Sequence, residues 1–189
     1  MQHLNPGRTS KLNCYIVKDY FAKLRDVMLE WDVADKSNLI YNVGEKGCKL
    51  TLHRQQQVFA RKGVKRPRSM QVIVLTCGNV MGQFVSPVIL FTGKLLKPEW
   101  EEKLPPGSNV VMTPKGSMTC ETFSQWIDHF AKYKASGDRT LLIFDGASSH
   151  LDANIVSAAD RHNLTLFCLH SNTTHELQPL DKSMFKFFE

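Results

Sequence analysis

Two short apolar runs limit what this chain can fold into more than any other feature. Leu141 to Phe144 in TLLIFDG, and the run LTLFCL from Leu164 to Leu169, are too short for helices and lack polar alternation. Runs of that kind are strands buried on both faces, and such strands need a covering layer on each side of their sheet. The flanking stretches supply it. A helix is expected from about Thr119 to Tyr133 with Phe123, Trp126, Ile127 and Phe130 inward, another from about Asp152 to His162, and a last one beginning near Gln178-Pro179. Upstream, Val17, Phe21, Leu24, Val27, Met28 and Trp31 are spaced by threes and fours, the stripe of an amphipathic helix.

Between these regions the period changes. LIYNV, KLTLH, QVFA, MQVIVLTC and QFVSPVILF are short β-branched and aromatic runs separated by turn formers such as GEKG, RKGVKRPR and GNVMG. Antiparallel hairpins followed by parallel strands between helices make an α/β domain with a mixed sheet. The stretch PPGSNVVMTPKGS reads as a turn-rich connection. A length of 189 residues, 42% of them hydrophobic, suits one core, with 1–37 a helical lead-in and 38–189 the sheet domain. The chain ends at FKFFE within an apolar helical stripe, so a longer protein is expected.

Charge and cysteine usage narrow the class. The formal charge of +6 favours polyanions. Five scattered cysteines without a C-x-x-C pair suggest neither a disulfide framework nor a zinc ribbon, and fit a reducing compartment. No apolar stretch is long enough for a membrane span, and MQHLNPGRTSK does not look like a secretory signal.

The residues that could carry chemistry are few. Asp145 leaves the buried strand at its carboxyl end, where open α/β sheets place their sites, although Asp-Gly is also an ordinary turn. Asp181 lies in the first turn of the last helix, where an acid complements the helix dipole whatever the function. Two such aspartates can meet at one corner of the sheet, and would repel there unless a divalent cation, most naturally magnesium, lay between them. Cys168, His170, His175 and His150 match no common zinc spacing. Ser148, Ser149 and His150 suit a helix cap better than a nucleophile and its base. In RKGVKRPR, five of eight residues are basic, Arg61, Lys62, Lys65, Arg66 and Arg68. They suit a phosphate backbone, a nuclear import signal or a solvated loop.

The runs IYNV, RSMQVIVLTCGNVMGQFVSPVILFTGK, TFSQWIDHF, LLIFDGASSHL and NTTHELQPLDKSMFKFFE, in that order, resemble the DDE endonuclease superfamily domain of pogo, Tigger and Jerky-type transposases. HELQPLD, from His175 to Asp181, is the most specific of them. The resemblance implies an RNase H-like fold with a five-stranded mixed sheet, whose first strand, fourth strand and last helix each give one carboxylate to a two-metal site that cuts and joins DNA. It implies Mg2+ or Mn2+ as cofactor if the domain is active, DNA as partner without sequence preference in this fragment, and a nuclear location. By position Asp145 is the second carboxylate and Asp181 the third. The first falls in a pattern close to Tyr-Asn-Val-Asp-Glu-Thr-Gly, which here reads Tyr41, Asn42, Val43, Gly44, Glu45, Lys46 and Gly47.

Gly44 therefore stands where a carboxylate is expected. Glu45 is the neighbouring substitute, but side chains alternate along a strand, so it reaches the same side only through a bulge. Gly44→Asp is expected to fit a strand without damage. Three readings follow: a nucleic-acid-binding domain with impaired cleavage, an active metal-dependent endonuclease and transposase, and a domesticated protein-interaction domain.

Overall fold

The structure is a computed structural model and describes residues 13–50, 70–135, 137–145, 152–169 and 177–185. Helix α1 (Cys14–Glu30) opens it, with the Asn13 side chain accepting from the Ile16 amide at 2.9 Å. Strands β1 (Ile40–Leu50), β2 (Met70–Asn79), β3 (Phe84–Thr92) and β4 (Asn109–Thr113) follow, then helix α2 (Cys120–Phe130) and strand β5 (Thr140–Phe144). Helix α3 (Ala153–Arg161), strand β6 (Leu164–Cys168) and the short helix α4 (Pro179–Lys182) complete the order.

The six strands form one sheet in the order β4-β3-β2-β1-β5-β6. β1 pairs antiparallel with β2, and β2 with β3; β5 runs parallel to β1 and to β6, and β4 parallel to β3. This is the mixed sheet of hairpins and parallel strands that the sequence implies, with one strand more. β4 is NVVMT, inside the stretch read as a turn-rich connection: five residues among prolines and glycines give too short a signal. The turn read at GEKG is also corrected, because β1 passes straight through Gly44 and Gly47 in unbroken register with β2. Cross-strand pairing overrides the two glycines' weak strand preference. QVFA and most of KLTLH lie outside the described residues.

Alternation along the central strands divides the core between the two faces. Tyr41, Val43, Leu142 and Phe144 pack with Phe123, Trp126, Ile127 and Phe130 of α2 and with Ile155 and Ala158 of α3. Ile40, Leu141 and Ile143 face the other way, onto Tyr20, Leu24, Val27 and Met28 of α1. The α1 stripe is thus centred on Tyr20 rather than Phe21, which is 54% exposed and meets Tyr20 edge-on. Trp31, at the end of that helix, lies under the Arg139 guanidinium, 4.0 Å from its ring centroid. Arg139 also donates to Asn163 Oδ1 at 3.0 Å, which fixes the start of β5 beside that of β6.

Candidate active site

The parallel register of β1 and β5 runs Ile40 to Leu141, Tyr41 to Leu142 and Asn42 to Ile143. Gly44 and Asp145 each lie two residues beyond the last of these pairs, and both line one small cavity. A side chain at Gly44 would open on the α1 side of the sheet, following the alternation of Ile40 and Asn42, toward Phe185 and Gln178. Glu45 comes next with no register break, opposite Leu75, so alternation turns its side chain toward the face of Tyr41 and Val43. Val43, Gly44, Glu45, Leu75, Phe123, Phe144 and Asp145 together line a small apolar cavity.

A buried cluster of amides brings α4 to this corner. Asn42 Nδ2 donates to the Ile143 carbonyl at 3.0 Å and to Gln178 Oε1 at 3.2 Å. Gln178 Nε2 donates to the Val43 carbonyl at 2.7 Å, and the Leu180 amide donates to Asn42 Oδ1 at 3.2 Å. Buried amides are stable when so paired, and here each bond ties α4 or β5 to β1. Asp181 follows Leu180 and is half-buried.

Burial raises the Asp181 carboxyl above its ordinary pKa; the Lys46 charge opposes that shift, the Asp145 carboxylate adds to it, and Lys182 opposes it again. Burial, and then Asp145, likewise raise the thiol of Cys168, which pairs with Phe144 across the β5–β6 ladder. Asp145 and Asp181 are thus close enough to feel each other's charge, with Gly44 on the adjoining strand.

Space at Gly44 is already taken. A Cβ there would lie 2.8 Å from Phe185 Cε2 and 2.9 Å from Gln178 Nε2. The expected easy fit of Gly44→Asp does not hold, because a ring and a hydrogen-bonded amide would have to move. Lys46, two residues on and on the same side, holds its ammonium 5.9 Å from the Phe185 ring centroid.

This donor set does not fit a metal centre built on three carboxylates. Among the described residues no three His, Cys, Asp or Glu side chains converge to hold a metal ion. Arg61, Lys62, Lys65, Arg66 and Arg68 lie outside the described residues, as do Ser148, Ser149, His150, His170 and His175. Sequence reasoning gave no role to Asn42 and Gln178, although both stand in the quoted runs IYNV and HELQPLD; only the fold shows that their amides meet. Lys46 was visible only as a departure from the family pattern.

A mixed six-stranded sheet in this order, with helices on its faces, is the RNase H-like fold of transposase catalytic domains. Residues 69–189 match the family described as DDE superfamily endonuclease, and the chain belongs to that family. The match includes Asp145 and Asp181 and begins after β1. In fold, the chain is similar to the Mos1 transposase paired-end complex with left transposon end, with a TM-score of 0.58 and 13% identity, over 99% of this chain and 52% of that one. It is similar as well to the catalytic domain of Mos1 mariner transposase, with a TM-score of 0.56 and 11% identity, over 94% of this chain and 71% of that one. A Mos1 mariner paired-end complex with Mn matches with a TM-score of 0.55 and 12% identity, over 99% of this chain and 52% of that one.

A curated relative, the MFS-type transporter clz9 of Cochliobolus lunatus, is 29% identical over 168 residues, which is 86% of this chain and 18% of that protein. The chain therefore spans less than a fifth of that relative's length. Among the described residues no helix is long and apolar enough to cross a membrane.

Proposed function

We propose that this chain is a transposase-derived DDE domain that binds nucleic acid and whose metal-dependent strand cleavage and transfer are impaired. The observation that carries this reading is Gly44. It lines one small cavity with Asp145 and brings no carboxylate. Asp145 and Asp181 are the remaining acids of the corner. DNA is the proposed partner, supported by the net charge of +6 and by the transposon end in the Mos1 paired-end complex. The HELQPLD run supports placing the domain in the pogo, Tigger and Jerky branch, and a nuclear location goes with that placement.

A second reading, an active endonuclease that uses Mg2+ or Mn2+ with Glu45 as the substitute acid, draws on one observation. Glu45 and Asp145 line the same small cavity. The unbroken register through Glu45 favours the first reading over it.

The deciding experiment is nicking of labelled DNA in Mg2+ and in Mn2+ by the chain as it stands and by Asp145→Ala. Impaired cleavage predicts salt-sensitive DNA binding by both and cutting by neither. Cutting by the unaltered chain that Asp145→Ala abolishes would overturn the proposal.

A further inference from the structure

We infer that the outer face of helix α1 is a dimer interface, on which a second copy of this chain lays its own α1 parallel to the first. The inference does not depend on the reading of Gly44.

Sequence spacing builds the face. Tyr15, Ala22 and Leu29 recur at every seventh residue of α1 and all three are exposed, Tyr15 by 79% and Leu29 by 64%. Residues seven apart stand nearly one above the other after two turns, so they form a single stripe. Tyr20, Leu24, Val27 and Met28, which pack on the sheet, leave the helix on its opposite side. Ala22, between the two large side chains, lets another helix come close.

The charges beside this stripe are sorted by sign. Lys18 and Arg25 stand along one flank, Asp19 and Asp26 along the other. Asp19 is bound by Lys23 at 2.7 Å and Asp26 by Arg25 at 3.3 Å. Both pairs are largely exposed, and pairs of that kind contribute little, so their partners are exchanged at small cost.

Charge complementarity then selects the occupant and its orientation. A two-fold axis across the helices makes them antiparallel and sets basic flank against basic flank. A two-fold axis along the helices keeps them parallel and sets the basic flank of each copy against the acidic flank of the other. Lys18 then lies near Asp19 of the second copy, and Arg25 near Asp26 of the second copy, as flanking charges do in parallel coiled coils.

This arrangement has a consequence for the candidate site. The Tyr20 ring lies 5.5 Å from that of Phe167, which pairs with Ile143, whereas Trp31 meets Arg139 just before β5. Helix α1 thus runs against β5, with its amino end toward the carboxyl end of that strand. Parallel α1 helices place the Asp145 ends of both sheets on one side of the dimer.

Sedimentation equilibrium tests the inference with the unaltered chain, Lys18→Glu/Arg25→Glu, Asp19→Lys/Asp26→Lys, and an equal mixture of the two variants. The unaltered chain is expected to dimerise, and each variant to do so more weakly by roughly tenfold or more, with an unchanged circular dichroism spectrum. The mixture is expected to recover the dimer, because one variant then carries two acidic flanks and the other two basic ones. Tyr15→Ser/Leu29→Ser, which leaves the charges in place, should also weaken the dimer. Orientation is read at Cys14, the exposed cysteine at the head of α1, with Cys14→Ser as control. A short bismaleimide should join the two copies there, since antiparallel helices would hold these thiols roughly 25 Å apart. A chain that stays monomeric, a dimer indifferent to both charge reversals, or a dimer that the reagent does not join at Cys14 would overturn the inference.

Discussion

Asn42 and Gln178 exchange a hydrogen bond of 3.2 Å between buried side-chain amides, and through it the last described helix is fastened to the first strand. Asn42 also reaches the Ile143 carbonyl and accepts from the Leu180 amide. Asn42→Leu keeps the approximate volume but orphans the Leu180 N–H and Gln178 Oε1. The expected loss is about 1–3 kcal/mol for each group left unpaired, read from urea denaturation. Limited proteolysis should then cut first near α4, since two of its ties to β1 are removed and only the Gln178–Val43 bond stays.

The crowding over Gly44 makes a second prediction. Gly44→Asp alone should destabilise the domain by about 1–3 kcal/mol, the usual cost of forcing atoms into a packed site. Gly44→Asp/Phe185→Leu should recover part of that loss, because the smaller side chain retreats from the new Cβ. Equal stability of Gly44→Asp and the unaltered chain in thermal denaturation would show that the Phe185 ring yields freely.

Asp181 should leave a signature in the pH dependence of stability. A carboxyl whose folded pKa is raised holds its proton more tightly folded than unfolded, so stability falls as pH rises from the ordinary carboxylate range through the raised value. Above that value the whole penalty is present. Asp181→Asn is therefore expected to raise the melting temperature at neutral pH in metal-free buffer, and to make no difference in acid below the ordinary carboxylate range. An opposite sign at neutral pH would mean that Lys46 and Lys182 outweigh burial and Asp145.

DNA affinity should fall steeply with salt, and its slope reports how many phosphates are neutralised. Replacing Arg61, Lys62, Lys65, Arg66 and Arg68 together by glutamine is expected to flatten the plot of log K against log salt by roughly 0.9 for each phosphate no longer neutralised. A slope unchanged by the fivefold replacement would assign DNA binding to other basic residues.

The apolar runs TLLIF and LTLFC became adjacent parallel strands because continuous apolar sequence fits little else at that length, but only the first is buried throughout; LTLFC, at the edge of the described sheet, is fully buried at Leu164 alone. The two aspartates were also legible, since strand ends and helix starts are marked by local chemistry. Three features were not. The short strand Asn109–Thr113 is held by pairing with β3, whose signal lies about twenty residues away. The passage of β1 through two glycines is dictated by β2 rather than by GEKG itself. The amide cluster of Asn42 and Gln178 depends on a meeting that no local pattern announces, because amides are common and their partners lie far along the chain.

That last distance bears on how the molecule is made. The bonds that build the corner join residues 101, 135, 136 and 138 positions apart. Pairings so remote in sequence form only after long loops have closed, and they slow folding and come late in it. During synthesis, the strand bearing Gly44 can pair with β2 early, yet it must wait for Gln178 and Leu180 to leave the ribosome before its other neighbours arrive. Until then Asn42 has none of its partners on α4, and the acidic corner does not exist. The corner therefore takes shape only when the last described helix docks, and it is lost when that helix lets go.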